Sequence, residues 1–291
     1  MDWSIVIQVI LSGIMLGGIY SLVSIGLTLI FGVVQIVNFA HGEFLMIGMF
    51  VTFWMWAKFG RLDPLISLVV VIPLLFLFGI SIYRFVFRRV VQKSDEAKIF
   101  LTVGLALVLQ NLALLIFRAD YRTVTTSYSD MYIRLGQITL GYPKLIAFIA
   151  AILISAGLGY FLIKTDFGKA MRAAAQDSDV AQLMGINTDR IYMLAVGLAS
   201  AVTGACGAVI MPYFYVFPMV GAEFTLMSFC VVIMGGLGNV KGAFFCGMIL
   251  GIAEALGIFF VSADSGVMVA FILLILILVF RPQGLLVKGR V

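Results

Sequence analysis

The sequence predicts an all-α fold, a polytopic membrane helical bundle with about nine transmembrane segments. Of its 291 residues, 63% are hydrophobic and only 11% are charged, whereas about 25% of the residues in an average soluble domain are charged. Uncharged runs of about 20 residues follow one another, and this is the length that a helix needs to cross a bilayer. The runs do not alternate with period two, which favours helices over a transmembrane barrel.

The first half of the chain contains four predicted crossings. The first lies near residues 5–31, and the polar stretch GVVQIVNFAHGEF follows it. This stretch either turns at a membrane surface or forms the break of a discontinuous helix. In the second case its irregular backbone must be buried in protein or line a cavity. A shorter apolar run then continues to residue 57, and residues 65–83 and 99–117 are the third and fourth crossings.

The second half begins with a crossing at residues 145–163, which leads into the polar interval 164–190. Another crossing ends near residue 211 and is followed by the aromatic stretch PYFYVFPMVGAEF. An apolar run over 224–234, the turn GGLGNVKGA over 235–243, a run that contains Glu254, and a last crossing that ends at residue 280 complete the bundle. The tail RPQGLLVKGRV is basic.

The distribution of positive charge predicts the orientation, since Lys and Arg in short loops stay on the cytoplasmic side. With nine crossings and an outside N-terminus, thirteen of the nineteen Lys and Arg residues fall inside and six fall outside. We therefore expect an N-out/C-in topology. The segments near residues 32–57 and 224–243 could instead be re-entrant, which would give eight crossings.

The composition excludes the common enzyme sites. A single histidine leaves no His/Cys/Asp cluster for a metal and no Ser-His-Asp arrangement. The three cysteines lie separately within apolar runs and are expected to be buried small residues. The GGLGNVKGA turn lacks the GxxxxGK[ST] spacing of a phosphate-binding loop, because Lys241 is followed by Gly242. We expect no catalytic residue, metal or cofactor site, and we expect these glycines to permit a tight turn and close helix approach.

Polar residues within the apolar runs are candidates for a substrate pathway, because they are costly at membrane depth. His41 and Glu43 could equally be hydrated at the cytoplasmic boundary. Glu254 either forms part of a pathway or an inter-helix polar contact, or it is a packing residue whose hydrogen bonds are satisfied. Gln110 and Asn111, in the segment 99–117, are expected to form hydrogen bonds between helices. The candidate pathway residues are Asn38, His41, Glu43, Gln110, Asn111 and Glu254.

The interval 164–190 predicts a water-facing helix with a sharp end. Residues 168–184 contain several alanines and no interior Gly or Pro, which favours a helix. Gly185 has the position of a helix C-cap, and residues 187–189 offer an N-cap for the next membrane helix. Helical spacing places Ala173, Val180 and Met184 roughly on one face. This apolar face needs a partner, which is either the membrane domain of the chain itself or another subunit.

The stretch RAAAQDSDVAQLMGINTDR resembles the cytoplasmic loop of bacterial ABC importer permeases, and its RA…A…GI…R pattern is similar to branched-chain amino acid permeases of the LivH type. Three further stretches share the resemblance: GGIYSLVSIGLTLIFGVVQIVNFAHGEFLMIG, GGLGNVKGAFFCG and RPQGLL. The general importer motif begins Glu-Ala-Ala, whereas this chain has Arg172-Ala173-Ala174. The resemblance implies an element that couples the chain to an ATPase, formed by Arg172, Ala173, Gly185, Ile186 and Arg190.

The resemblance also implies the biological context. Residues 1–291 would form one permease domain in the bacterial inner membrane, with residues 164–190 as its cytoplasmic coupling loop. Its partners would be a homologous second permease, two ATP-binding subunits that handle ATP, and a periplasmic amino-acid binding protein. The substrate would be a branched-chain amino acid, or alternatively another amino acid or a small amide. The residues also allow an ion-driven secondary carrier with His41, Glu43 and Glu254 as a proton relay, or a membrane scaffold.

Overall fold

The computed structural model describes residues 3–136, 138–263 and 265–286. Eleven α-helices, a short 3-10 helix at Phe87–Arg89 and one antiparallel β-hairpin make up this part of the chain. The helices are α1 Trp3–Val34, α2 His41–Lys58, α3 Pro64–Phe85, α4 Asp95–Phe117, α5 Tyr142–Lys164, α6 Asp166–Gln176, α7 Ser178–Leu183, α8 Thr188–Ile210, α9 Val220–Gly235, α10 Val240–Phe260 and α11 Ser265–Phe280.

The predicted helical membrane bundle is confirmed, with one exception to the all-α class. Strands β1 (Tyr132–Leu135) and β2 (Ile138–Gly141) form a hairpin inside the long loop between α4 and α5. Gly136, with φ of 64°, supplies the left-handed backbone at its turn. Six helices, α1, α3, α4, α5, α8 and α10, are long and apolar enough to cross a membrane, whereas α9 and α11 are shorter apolar helices.

The bundle consists of two related halves, which the sequence left as a possibility. The first half is α1–α4 and the second is α8–α11, and α5–α7 connect them. In each half a long helix is followed by a non-helical segment, residues 35–40 or 211–219, and then by a shorter helix, α2 or α9. Helix α1 packs along α10, and α3 packs along α8. In both pairs, the first helix of one half packs along the third helix of the other half.

The two halves run in opposite directions through the bundle. We call the end that carries α6 and α7 the basal end and the end that carries the β-hairpin the apical end. Helix α1 reaches the basal end at Val34, and residues of α1 and α6 line one cavity there. Helix α8 starts at the basal end beside α7 and runs to the apical end. Such inverted repeats with discontinuous helices are typical of membrane transport proteins.

Glycines let the long helices approach closely. A Cβ on Gly17 of α1 would lie 2.7 Å from the Cα of Met248 in α10. At Gly247 of α10 a Cβ would lie 2.6 Å from the backbone nitrogen of Ser21, whose hydroxyl donates a 2.7 Å hydrogen bond to the carbonyl of Phe244. Small residues therefore set the spacing of α1 and α10, as is common where membrane helices pack.

Each half also contains a capped turn after its shorter helix. Between α2 and α3 the left-handed residues are Gly60 and Arg61, and Asp63 caps α3. Between α9 and α10 the left-handed residues are two glycines of the GGLGN motif, and Asn239 caps α10 through a 3.1 Å bond from the amide of Gly242. The glycine-rich motif is thus a tight turn, as predicted. Like the turn after α2, it leads directly into a capped helix.

The RPQGLL motif packs against that turn at the basal end. The amide of Leu285 donates to the carbonyl of Met234 at 2.8 Å, and the side-chain amide of Asn239 donates to the carbonyl of Leu286 at 3.2 Å. Gly284 has φ of 93°, and a Cβ there would lie 2.6 Å from the nitrogen of Gly236. Two motifs that are distant in sequence, with Asn239 and Leu286 separated by 47 residues, therefore form one corner.

At the apical end, the loop after α4 closes over the segment that precedes α9. The backbones of Arg122 and Val216 exchange two hydrogen bonds of 3.0 and 2.8 Å. Tyr128 donates a 3.1 Å hydrogen bond to Asp63. Burial of the phenol, together with the neighbouring Asp63 carboxylate, raises the pKa of Tyr128 above its usual value, so the phenol remains a donor.

The single helix predicted over residues 168–184 is wrong. The structure has two helices, α6 and α7, with a break at Asp177. The Asp177 carboxylate accepts 3.0 Å hydrogen bonds from the amides of Asp179 and Val180 and caps α7. Short polar side chains compete with helical backbone bonding in this way, which explains why alanine content alone did not predict the break.

We expect Gly247→Leu to destabilise the bundle, because its side chain would collide with the backbone of α1. Overpacking of this kind costs about 1–3 kcal/mol. The midpoint of thermal unfolding of the purified protein in detergent measures the loss. Gly157→Leu is the matched control, since nothing lies within 4 Å of a Cβ at Gly157. Equal losses for the two variants would contradict the proposed α1–α10 packing.

Candidate functional site

The two shorter helices meet at their N-termini in the middle of the bundle. A Cβ on Gly42 of α2 would overlap the carbonyl oxygen of Gly221 in α9. The amide of Gly42 donates a 2.9 Å hydrogen bond to the hydroxyl of Thr225, and this hydroxyl donates to the carbonyl of Gly221 at 2.9 Å. The prediction of a discontinuous helix, one of two alternatives for GVVQIVNFAHGEF, is therefore the one that the structure shows.

His41 fixes the start of α2 between two long helices. Its side chain is fully buried, and Nε2 lies 3.0 Å from the carbonyl of Val23 in α1 and 2.9 Å from the hydroxyl of Thr203 in α8. Because the Thr203 hydroxyl donates to the carbonyl of Ala199, it accepts from His41, and we assign the hydrogen to Nε2. Val23 lies about 16 Å from the basal end of α1, so His41 is not hydrated at a boundary.

Asn38 shapes the segment that leads to α2. Its side chain is fully buried, and Oδ1 accepts a 3.1 Å hydrogen bond from the amide of Ala40. The amide of His41 donates to the Asn38 carbonyl at 3.3 Å. Asn38 thus forms a local turn, which is a usual position for this residue type. It supports the break in the helix and does not line the cavities described below.

Glu43 and Gln110 are the two predicted pathway residues that the structure brings together. Glu43 is only 1% exposed, and its Oε1 accepts a 2.8 Å hydrogen bond from the side-chain amide of Gln110 in α4. Its Oε2 has no hydrogen-bond partner within the described part of the chain. A Cβ on Gly221 would lie 2.6 Å from Oε2, so the glycine leaves room for the carboxylate.

A cavity of about 260 Å³ lies beside this carboxylate, between α2, α4 and α9, and it opens to the outside of the described chain, where Leu107 is 54% and Leu226 is 42% exposed. Apart from Glu43, Gln110 and Thr225, its walls are apolar. Two of the wall residues, Phe39 and Phe229, pack with ring centroids 4.9 Å apart. The remaining walls are formed by Val103, Ala106, Leu107, Ala222 and Leu226. We call this space the central cavity.

A second, larger cavity of about 790 Å³ opens at the basal end. Residues 35–40 join the two spaces, because Gln35 and Val37 line the basal cavity and Phe39 lines the central cavity. The hydroxyl of Thr102 in α4 donates a 2.9 Å hydrogen bond to the Val37 carbonyl and supports this segment. The residues before α2 therefore border both spaces.

The other two candidate pathway residues lie elsewhere. Asn111 is exposed, and its side-chain amide donates to the carbonyl of Leu107 in its own helix at 2.7 Å, so it does not provide the inter-helix bond that the sequence suggested. Glu254 is 9% exposed and lies on α10 beside Tyr20 of α1. Neither residue lines the central cavity, and the three members of the suggested proton relay are not assembled at one place.

Sequence reasoning missed the contribution of α9 to this site. Thr225, Gly221 and Phe229 were not among its candidates, although they form one side of the central cavity or its support. A signal was present, since the starts of the two shorter helices read AHGEF and VGAEF. Comparing these stretches would have suggested that they occupy equivalent positions in the two halves.

The end of α7 has the geometry that the sequence predicted. Gly185 has φ of 83°, its amide donates to the carbonyl of Gln182 at 2.9 Å, and the amide of Ile186 donates to the carbonyl of Ala181 at 3.0 Å. This pair of bonds is the Schellman pattern of a glycine C-cap. Asn187 then caps α8 by accepting a 3.0 Å hydrogen bond from the amide of Arg190, whose side chain is exposed.

The apolar face predicted for this segment is not covered as a whole by the membrane domain of the chain. The residues that pack against the bundle are Met171, Ala174 and Ala181, whereas Val180 is 53% and Met184 is 78% exposed. The break at Asp177 changes the register between α6 and α7, so a single helical projection did not apply. As a result α7 presents a bare apolar tip, residues 180, 183 and 184, in which Leu183 is 86% exposed.

Two residues of the predicted coupling element lie on α6. Arg172 donates a hydrogen bond from its guanidinium to the carbonyl of Leu162 at the basal end of α5. Ala173 is partly buried. The Arg172 side chain thus joins α6 to the preceding membrane helix. Arg172 also lines the basal cavity and the separate cavity between α1 and α6, so its position is explained without a partner subunit.

An ion-pair network ties the start of α8 to the basal end of α3. Asp189 accepts a 2.8 Å hydrogen bond from the hydroxyl of Tyr83, and its carboxylate lies 3.2 Å from Nε of Arg88. Asp189 follows the α7 cap by only four residues. A displacement of α7 would therefore be transmitted to α3 as well as to α8.

These features define a multi-pass membrane permease: a bundle of two inverted halves, discontinuous helices that meet at its centre, and a short amphipathic segment at one end. A family model described as "branched-chain amino acid transport system / permease component" matches residues 9–278. The chain belongs to this family.

Curated relatives extend over nearly the whole chain. It is 30% identical to the high-affinity branched-chain amino acid transport system permease protein BraD of Pseudomonas aeruginosa, over 98% of this chain and 97% of that protein. It is also 30% identical to the permease protein LivH of Escherichia coli K12, over 98% and 96% of the two chains. A probable LivH of Methanocaldococcus jannaschii is 26% identical over 96% of this chain and 92% of its own length. No solved structure matches the chain.

We expect Gly221→Ala to destabilise the protein, because the added methyl group would displace the Glu43 carboxylate and press on Gly42. The midpoint of thermal unfolding should fall, and the losses of Gly221→Ala and Glu43→Ala should be non-additive, as is usual for residues in contact. Gly104→Ala is the matched control, since a Cβ there meets nothing within 4 Å. Strictly additive losses would show that the carboxylate does not lie against Gly221.

Proposed function

We propose that this chain is a permease subunit of a binding-protein-dependent ABC importer that takes up branched-chain amino acids by ATP-driven alternating access. The observation that carries the proposal is the match of residues 9–278 to the permease component of branched-chain amino acid transport systems. The 30% identity to BraD and LivH over almost the full length supports the same substrate class. As a transport subunit, the chain would have no ATPase site of its own.

We propose nine crossings of the bacterial inner membrane, with the N-terminus outside and the C-terminus inside. Residues 35–58 and 211–235 each count as one crossing, because their extended parts lie inside the protein and their helices complete the span. The basal end would then be cytoplasmic, and it carries the coupling residues together with Arg84, Arg88, Arg89, Lys93 and Lys98. This agrees with the retention of positive charge on the cytoplasmic side.

The apolar tip of α7 is the surface that we assign to the ATP-binding subunit. Exposed large apolar side chains at the water-facing end of a membrane protein indicate an interaction site, and the Schellman pattern at Gly185 gives the tip a fixed direction. The coupling element would consist of Arg172, Ala173, Gly185, Ile186 and Arg190, together with Leu183 and Met184, which the sequence did not single out. Arg172 would act by holding α6 to α5.

The same geometry suggests how ATP binding would move the bundle. A push on α7 would be passed to α8 through the Asn187 cap and to α3 through the Tyr83–Asp189–Arg88 network. Because α3 and α8 pack along each other, the push would move these two helices together, although they belong to different halves.

The partners that we propose are a homologous second permease, two ATP-binding subunits and a periplasmic amino-acid binding protein. The test is uptake into proteoliposomes by the complex purified through a tag on this chain. With binding protein outside and ATP inside, we expect accumulation of leucine, isoleucine or valine. Uptake driven by an ion gradient without ATP would replace the proposal with a secondary carrier, and uptake of only other amino acids or amides would change the substrate.

We expect Leu183→Ser to uncouple the permease from its ATPase. The side chain is exposed, so folding should be unchanged, whereas loss of an apolar contact at the centre of an interface costs about tenfold or more. The measurement is ATP hydrolysis by the reconstituted complex with and without binding protein. Leu183→Met keeps size and polarity and should retain the stimulation. Full stimulation of Leu183→Ser would exclude the α7 tip as the contact.

A further inference from the structure

We propose that the central cavity is a transient binding site for the ammonium group of an aliphatic amino acid in transit, with the Glu43 carboxylate as its ligand. The inference rests on the proposed function and adds a residue-level site to it. The cavity combines one carboxylate with apolar walls, and it lies where the two halves meet. Small-molecule sites typically have this composition, an apolar pocket with few polar groups that fix the orientation.

The Glu43 carboxylate is not neutralised by another side chain. The salt bridges found in the described part of the chain involve other acids, and Gln110 supplies a single neutral donor to Oε1. The second oxygen is buried without a partner. A buried carboxyl group is favoured in its charged form only beside a cation or several hydrogen-bond donors, and a primary ammonium group in the cavity would supply both a charge and donors.

The N-termini of two helices stabilise the Glu43 carboxylate when no ligand is bound. Glu43 is in the first turn of α2, and its carboxylate lies against the first turn of α9 at Gly221. The N-terminus of a helix carries a partial positive charge that favours a nearby anion. This partial charge offsets part of the burial of Glu43, and it would also favour the carboxylate group of a zwitterion that binds beside it.

The walls match an aliphatic side chain in polarity. Val103, Leu107 and Leu226 provide branched apolar surface, and the packed rings of Phe39 and Phe229 close one side. A second charged group on the ligand's side chain would find no counter-ion among these wall residues.

The first test measures binding in the purified complex without binding protein. Leu107→Cys introduces a thiol on the cavity wall, and the native cysteines Cys206, Cys230 and Cys246 are buried. We expect leucine and leucinamide, which both carry an ammonium group, to slow labelling of this thiol by a soluble maleimide. The deaminated analogue 4-methylpentanoate should not protect. Equal protection by 4-methylpentanoate, or no protection by leucine, would overturn the proposal.

The second test removes the charge of Glu43. In the Leu107→Cys background, Glu43→Gln should lower the apparent affinity for leucine about tenfold or more, since hydrogen bonds between charged groups are the stronger class. Glu254→Gln is the matched control, because Glu254 is also a buried acid with an unpartnered oxygen but lies outside the cavity. Protection by leucine that is unchanged in Glu43→Gln, or lost equally in Glu254→Gln, would contradict the assignment.

Uptake by the same variants separates this proposal from the proposed function. The Glu43→Gln complex should keep the binding-protein stimulation of ATP hydrolysis but transport at least about tenfold less leucine per ATP. Wild-type uptake of leucine by Glu43→Gln would overturn the site while the importer function stands. Failure of the unmodified complex to take up any branched-chain amino acid, with leucine still protecting the thiol, would instead overturn the function.

Discussion

The contact between Gly42 and Gly221 is the constraint on which the rest of the bundle depends. Two helices begin at this point and run away from each other, and their first turns approach so closely that neither residue can carry a side chain. Each half must therefore bring an extended segment to the middle of the protein before its shorter helix can start. The positions of residues 35–40 and 211–219, and with them both cavities, follow from this meeting point.

The polar groups around that point have different roles, and their hydrogen bonds distinguish them. His41 uses Nε2 to join α2 to α1 and α8, and Asn38 uses its side chain for a local turn. Thr225 bonds both glycine backbones. These residues support the break in the helix. Asn38 Nδ2, His41 Nδ1 and Glu43 Oε2 are all buried without a hydrogen-bond partner, but of the three residues only Glu43 lines the central cavity. An apolar chain tolerates several polar residues at its centre because most of them satisfy the freed backbone.

The sequence predicted the membrane class, most helices and the caps at Gly185 and Asn187, because those depend on local composition and on short-range hydrogen bonds. It did not predict the break at Asp177, where one carboxylate outcompetes a run of good helix formers. It also did not predict that Glu43 contacts Gln110 while Asn111 points away, since that requires the rotation of α4 relative to α2. Contacts across 67 residues depend on packing of the whole bundle, which no local pattern contains.

The corner formed by the GGLGN turn and residues 284–286 has a consequence for biosynthesis. The carbonyl of Met234 and the cap residue Asn239 bond to backbone that is made about fifty residues later, so the turn between α9 and α10 lacks these partners while the chain is still being translated. Formation of this corner therefore follows the synthesis of α10 and α11.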